Sequence, residues 1–512
     1  MVFALVKLGY PNIPLYVAET GWPSGERHFG LLYPNESHIY DIDLSETSPD
    51  WTYDPLPKPT NNEPYKVQAK IGVCYGQLGN NLPTPSTSVQ YLQNKLKAPN
   101  VKIYDATPSI LNALKGTNLT ITIMVPNEKL GDISSDQHIS DQWVKTNVLP
   151  FYPQTKITVI LVGNEILSPW NNQYKFYLVP AMNKIYQSLK TFGLHNAIKV
   201  GTPIAFDALE SSVFRPSNGT FRSDISIKFM KPMLHFLNST KSYFFVDLYP
   251  YFEWVDKPKK ISLNYALLSA KNTSFKDPVS GLVYHNLLDQ MLDSMVFAMT
   301  KLGYPNIPLY IAETGWPSDG DYDQIGANIY NAATYNRNIV KKFTAKPPVG
   351  TPARPGEAID VNIFALYNEN QKWGPTTERH FGLLYPSGDN VYGIDLSGKT
   401  SLWTYKPLPK PTNNQPYKGK IWCVVSEGAN LRELRRAMDS ICGDDKKICA
   451  AIKPGGICYK PNRFLLHASY VFSSYWAKNR NNGTYCFFNG LAAQTIKDPS
   501  YNMSCQFPSV RL

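Results

Sequence analysis

The sequence predicts an α/β protein: a (β/α)8 TIM barrel followed by a small disulfide-rich C-terminal module. Three observations carry that prediction. Eight apolar, β-rich runs alternate with helical stretches between residues 70 and 370. Three of those runs carry a glutamate at or near their C-terminal end, Glu165, Glu313 and Glu369. Six of the seven cysteines fall in the last 90 residues.

The strand-like runs are 70–76, 101–105, 119–126, 156–165, 198–206, 243–252, 307–315 and 361–369. Between them lie patterns such as 86–98, 174–192, 285–302 and 327–344, with apolar residues three and four apart, the period of a helix with one buried face. Strands that are apolar almost throughout and separated by helices imply a parallel sheet covered on both faces. An open doubly wound sheet would use the same alternation. The barrel is preferred because the count reaches eight and no Gly-rich phosphate turn follows the first strand.

In such barrels the C-terminal strand ends form the working face. The fourth run ends in Gly163-Asn164-Glu165, and the seventh ends in Glu313-Thr-Gly-Trp316-Pro-Ser. A carboxylate placed directly after an apolar run must face the barrel mouth or be buried unpaired at high cost. Two carboxylates at one mouth suit glycosidic bond cleavage, in which one protonates the leaving oxygen and the other attacks the anomeric carbon. A single strand-end glutamate is as readily a structural ion pair. Two, with Asn164 before one and Trp316 after the other, favour chemistry. The eighth run adds Glu369 and Lys372, followed by Glu378; these either hold sugar hydroxyls and tune the pair, or form a rim ion pair of little worth. Tyr75, Tyr104, Tyr249 and Phe381 are candidate platforms for the apolar face of a sugar, with core packing as the alternative for each.

The predicted barrel spans 70–405, a Pro-rich linker 406–420, and the six-cysteine module 421–507. An even number of cysteines in so short a module reads as a disulfide framework formed in an oxidising compartment, with 15 pairings open. Cys74 is left over and reads as a small buried residue. The tail from 419 to 512 carries 13 Lys+Arg against 6 Asp+Glu, much of the net +11 of the whole chain. No nucleic-acid-binding signature accompanies that charge, which fits attraction to wall polysaccharide better. Seven N-x-S/T sequons (Asn35, Asn118, Asn218, Asn238, Asn272, Asn482, Asn502) agree with a secreted glycoprotein. No stretch is long and apolar enough to span a membrane, and the scattered histidines show no metal-ligand spacing.

Residues 1–25 nearly duplicate 295–319, and 26–66 nearly duplicate 378–418. The first copy lacks the 57 residues 321–377 and any partner for Glu19. Segment 1–66 is therefore expected to be a partial duplicate and not an independent domain. Met1–Gly9 repeats a piece of core helix, so it does not read as a targeting segment.

Five motifs in order, I-G-V-C-Y-G, V-G-N-E, D-L-Y-P-Y-F, A-E-T-G-W-P-S and N-E-N-Q-K with E-R-H-F-G-L-L-Y-P, resemble the plant family 17 glycoside hydrolases, the endo-β-1,3-glucanases. The resemblance covers about 70–405. It implies Glu165 as acid/base, Glu313 as nucleophile, and Glu369, Glu378 and Lys372 in support. The chain departs from the pattern at Trp373, where the family often has Pro. The tail, from Trp422-Cys-Val to Cys505, resembles the plant carbohydrate-binding module found behind such enzymes. That implies pairing of Cys423 with Cys486, Cys442 with Cys449 and Cys458 with Cys505, with Ile448 standing where the module commonly has Asp. The expectation is a secreted, monomeric, cofactor-free enzyme that hydrolyses β-1,3-glucan with retention and binds neither nucleic acid nor metal. The rival is a catalytically silent glucan-binding protein of the cell wall; hydrolysis of mixed-linkage β-1,3;1,4-glucan is a third reading.

Overall fold

The computed structural model describes residues 69–210, 215–400, 404–501 and 504–511. The duplicated segment 1–66, with Glu19 and Asn35, lies outside the described residues, as does the sequon at Asn502. The barrel and the cysteine-rich module belong to one compact unit.

The barrel is built from β1 (Ile71–Cys74), β2 (Asn100–Lys102), β3 (Thr120–Val125), β4 (Lys156–Val162), β5 (Lys199–Gly201), β6 (Pro203–Ala205), β7 (Phe244–Asp247), β8 (Leu309–Thr314) and β9 (Asp360–Phe364). All neighbours pair in parallel, in the order β5-β4-β3-β2-β1-β9-β8-β7-β6. The fifth predicted run is thus two short strands that exchange partners at Thr202. Residues 199–201 pair with β4, and 203–205 pair with β7. The chain itself closes the barrel there.

Period-two alternation sorts the strand side chains into two layers. Outward positions such as Val73, Val101, Ile160, Val246, Ile311 and Ile363 meet the helices in one large apolar cluster. Inward positions such as Met124, Leu161, Phe245, Tyr310 and Ala312 fill the barrel, with Cys74 and Phe364 above them. The helical patterns settle as Leu178–Thr191, Leu287–Lys301 and Ile329–Phe343, the last two capped by the Asn286 and Asn328 side chains. The stretch predicted at 86–98 forms an α turn followed by a π turn, Tyr91–Leu96.

The segment after the barrel is tied down. Asn328 donates to Asn413 and Asn414 at 2.7 and 3.0 Å, Asn331 donates to Asn414 at 2.7 Å, and Asn413 donates to the Ala327 carbonyl at 2.8 Å. The module that follows has a central strand β10 (Lys420–Val425), paired antiparallel with β11 (Ala492–Thr495) and β12 (Val510–Arg511), and packed against helix Phe464–Asn479. Its disulfides are Cys423–Cys486, Cys442–Cys449 and Cys458–Cys505, and Cys74 is free and buried.

Candidate active site

A cavity of about 720 Å³ opens at the C-terminal ends of the strands. Its lining includes Glu165 and Glu313, together with Tyr75, Tyr104, Asn164, Tyr249, Glu369, Lys372, Glu378 and Phe381. Of the predicted site residues, only Trp316 and the disulfide cysteines lie elsewhere.

Glu313 owes its aim to a break in alternation. Along β8, Ala312 points inward, so strict period two would send Glu313 outward. The pairing slips by one residue after Ile311, between Ile311 and Glu313 against β7 and between Ile311 and Thr314 against β9. A bulge of this kind re-aims the following side chains. Thr314 turns outward to bond the Tyr335 hydroxyl at 2.5 Å, and Glu313 turns into the mouth. Gly315 completes the turn, because a Cβ there would sit 2.4 Å from the Phe364 carbonyl oxygen.

Three donors converge on the Glu313 carboxylate. Lys102 Nζ donates to Oε1 at 2.7 Å, the Tyr104 hydroxyl to Oε1 at 2.6 Å and the Tyr249 hydroxyl to Oε2 at 2.6 Å. Burial works to raise its pKa, but the Lys102 charge and these hydrogen bonds prevail and hold it below the usual carboxylate range. Burial alone would discharge Lys102; Glu313 and Asp247 keep it protonated. Burial and the Glu313 charge hold both tyrosines as phenols.

Glu165 is in the opposite condition. It takes a left-handed conformation (φ 50°) after Gly163, and Asn127 clamps the turn by accepting from the Asn164 N–H at 2.7 Å and donating to the Asn164 carbonyl at 3.2 Å. Its pKa is pushed up to about 8, first by burial and then by the charges of Glu313 and Asp207. One carboxyl in this cavity is therefore ionised and the other protonated near neutrality.

The remaining predicted residues have distinct places. Glu369 is buried and accepts from the Leu78 N–H at 2.7 Å; a Cβ on Gly76 would collide with its carboxylate at 2.4 Å. Lys372 pairs with Glu378 at 3.1 Å and lies over the Phe364 ring at 3.9 Å. Tyr75 is buried, with its hydroxyl on Ser88 at 3.1 Å, and Phe381 packs edge-on against Tyr249 and Phe364. Tyr104 and Tyr249, expected as platforms, hold the carboxylate of Glu313.

Trp316 is a correction. It is fully buried among Tyr251, Trp254 and Tyr335, and its indole N–H donates to the Gly326 carbonyl at 2.8 Å. The bulge that turns Glu313 inward sends Trp316 back into the helix layer, so it is not a sugar contact.

Sequence reasoning missed Lys102 and Asp247. Lys102 had a signal: a lysine inside an apolar strand, two residues before Tyr104, must share its inward face. Asp247 ends β7, and Glu313 lies one residue before the end of β8; Asp247 is buried, with neither carboxyl oxygen hydrogen-bonded among the described residues, and burial and the Glu313 charge push its pKa well up. Trp170 and Phe252, exposed at the rim, lie on the short helices Pro169–Tyr174 and Pro250–Asp256; Phe252 closes the D-L-Y-P-Y-F motif, but neither was expected to line the cavity. Among the described residues, no group of three or more His, Cys, Asp or Glu could hold a metal ion, and no helix is long and apolar enough to cross a membrane.

Comparison with known proteins gives the same outline. Residues 71–396 match the family described as glycosyl hydrolases family 17, and 421–493 match the X8 domain. The chain is 54% identical over 446 residues to "Probable glucan endo-1,3-beta-glucosidase A6" of Arabidopsis thaliana, covering 87% of this chain and 92% of that one. It is 40% identical to "Glucan endo-1,3-beta-glucosidase 13" of the same plant, covering 85% and 84%. Among solved structures it is similar to a β-1,3-glucanase and allergen of Cryptomeria japonica pollen, at 40% identity and TM-score 0.60, over 64% of this chain and 99% of that one. It is also similar to a structure from work on two plant β-glucan endohydrolases with distinct substrate specificities, at 33% identity and TM-score 0.58, over 63% and 99%.

Proposed function

Because this chain belongs to glycosyl hydrolases family 17 and carries an X8 domain, we propose that it is an endo-β-1,3-glucanase working by a two-glutamate retaining mechanism. Glu313 attacks the anomeric carbon while Glu165 gives its proton to the leaving oxygen. A covalent glycosyl intermediate forms, Glu165 then removes a proton from water, and that water releases the sugar from Glu313.

The observation that carries this reading is the opposed state of two carboxyls lining one cavity: Glu313 is held low by Lys102, Tyr104 and Tyr249, and Glu165 is held high by burial. Glu369, Lys372 and Glu378 line the same wall and bind sugar hydroxyls. Secretion to the cell wall accompanies the activity. It is supported by the three disulfides and by the exposure of all five sequon asparagines among the described residues, Asn118, Asn218, Asn238, Asn272 and Asn482.

The test is Glu313→Gln. Reducing-end release from laminarin should fall to background while retardation in laminarin-containing gels persists. Near-normal hydrolysis by that variant sinks the assignment. Retention is checked separately, by NMR of the first-formed anomer; an α product at the new reducing end contradicts it.

A further inference from the structure

A second cavity, of about 390 Å³, lies where the barrel rim meets the module. One wall is Asn370, Gln371 and Trp373, from the loop after β9. The other is the module segment 484–489, including Tyr485 and Phe487. We propose that this junction is a carbohydrate subsite formed jointly by the two domains, which takes glucosyl units of the same β-1,3-glucan chain that lies in the catalytic cleft. The proposal rests on the hydrolase reading given above.

The lining carries no Lys, Arg, His, Asp or Glu. It consists of aromatic rings and carboxamides, the combination that suits a neutral sugar: rings meet its C–H face and amides meet its hydroxyls. The volume falls within the roughly 300–1,000 Å³ of ordinary ligand sites. Trp373 is 81% exposed and Tyr485 48% exposed, so two aromatic side chains stand open to solvent across from each other. Large exposed aromatics next to a preformed cavity signal recognition more than packing.

Both walls are fixed. Arg379 stacks on the Phe487 ring at 3.5 Å and donates to the carbonyls of Lys372 and Gly374 at 3.0 and 3.2 Å, so one guanidinium holds both domains. Asp323 of the barrel accepts from Gln494 at 3.0 Å and pairs with Arg480 at 3.6 Å. Within the module wall, Cys486 is linked to Cys423 on β10, and Phe488 stacks on the buried Phe472 at 4.3 Å.

Continuity with the cleft identifies the occupant. Lys372 lines the catalytic cavity and Trp373, the next residue, lines the junction. The loop is also tied to the cleft wall, where Gln371 donates its backbone N–H to the Leu78 carbonyl at 3.0 Å and Asn370 bonds Asn80 at 2.8 Å. A polysaccharide leaving the cleft across Lys372 therefore meets Trp373 first.

The experiment uses the full chain as wild type, Trp373→Ala, Tyr485→Ala and Trp373→Phe. KM and kcat are measured on laminarin and on laminaritriose, and retardation is measured in laminarin gels. Losing one stacking face should raise KM for laminarin about two- to tenfold with kcat unchanged, and leave both constants on laminaritriose unmoved. Trp373→Phe should restore most of the loss, and gel retardation should weaken in both alanine variants. Equal KM on both substrates and unchanged retardation across the series would overturn the subsite. If wild type releases no sugar at all, the hydrolase reading falls, and the retardation series alone then decides the junction.

Discussion

Replacing Lys102 by Met removes a charge and keeps nearly the same volume, which isolates the electrostatic part played by this residue. Lys102 is wholly buried, and its Nζ lies 2.7 Å from Glu313. At an effective dielectric of about 20 the gross attraction at that distance is about 6 kcal/mol, most of it offset by the cost of desolvating both groups. What remains is the bias toward the ionised form. A neighbouring cation typically lowers a carboxyl pKa by about one to three units, so its loss should move the acid limb of the kcat/KM–pH profile upward by about that much. Tyr104 and Tyr249 still donate in the variant and limit the move. Burial and the Glu313 charge already push the Asp247 pKa well up, so it supplies no cation in place of Lys102. The assay is hydrolysis of laminarin from acid to neutral pH, with circular dichroism to confirm folding. The expected result is a profile narrowed from its acid side. A folded variant whose acid limb stays within about 0.3 pH unit of wild type would refute the assignment of Lys102 as the group that keeps Glu313 ionised, because even the low end of the expected shift is several times larger.

Three further outcomes follow from the same structure. As the proposed acid, Glu165 must be protonated, so activity should fall as pH rises through about 8. Folded Glu165 keeps a proton that the unfolded chain has lost above the usual carboxylate range, so its contribution to stability declines as pH rises toward 8. Glu165→Gln should thus be more stable than wild type by about 1–3 kcal/mol near pH 8, with the gain shrinking toward pH 4.5. A difference in Tm that does not vary with pH would contradict this. Trp316→Ala should cost about 3–5 kcal/mol in urea unfolding, as for other buried aromatics, while KM of the folded fraction stays put; a raised KM with unchanged stability would return Trp316 to the cleft.

Much of this site is legible in the sequence. The strand runs and their glutamates could be read because parallel strands buried on both faces are continuous in apolar character and a charge at their end has few places to go. Glu369, Lys372 and Glu378 were found for the same reason, since they follow the last strand directly. Trp316 was misplaced because a bulge adds one residue to the period and reverses every side chain after it. Nothing in L-Y-I-A-E-T marks that slip. The split at Thr202 was hidden likewise, because partner exchange depends on the neighbouring strands and leaves no trace in local composition. The junction cavity joins residues more than 100 positions apart, and only packing brings Trp373 to Tyr485.

The partner exchange at Thr202 has a consequence at the mouth. Among the described residues only Lys199–Gly201 are laddered to β4, and Pro203–Ala205 pair with β7 instead. Asn164 and Glu165 stand on one side of that seam, and Ala205, Phe206 and Asp207 on the other, all lining the cavity. Side chains span the seam where the backbone does not: Ser168 donates to Asp207 at 2.8 Å, and Arg222 donates to the Leu167 carbonyl at 2.7 Å and to the Asp207 carbonyl. The cavity wall beside Glu165 is thus held by a few side-chain bonds, where a strand ladder holds the rest of the barrel.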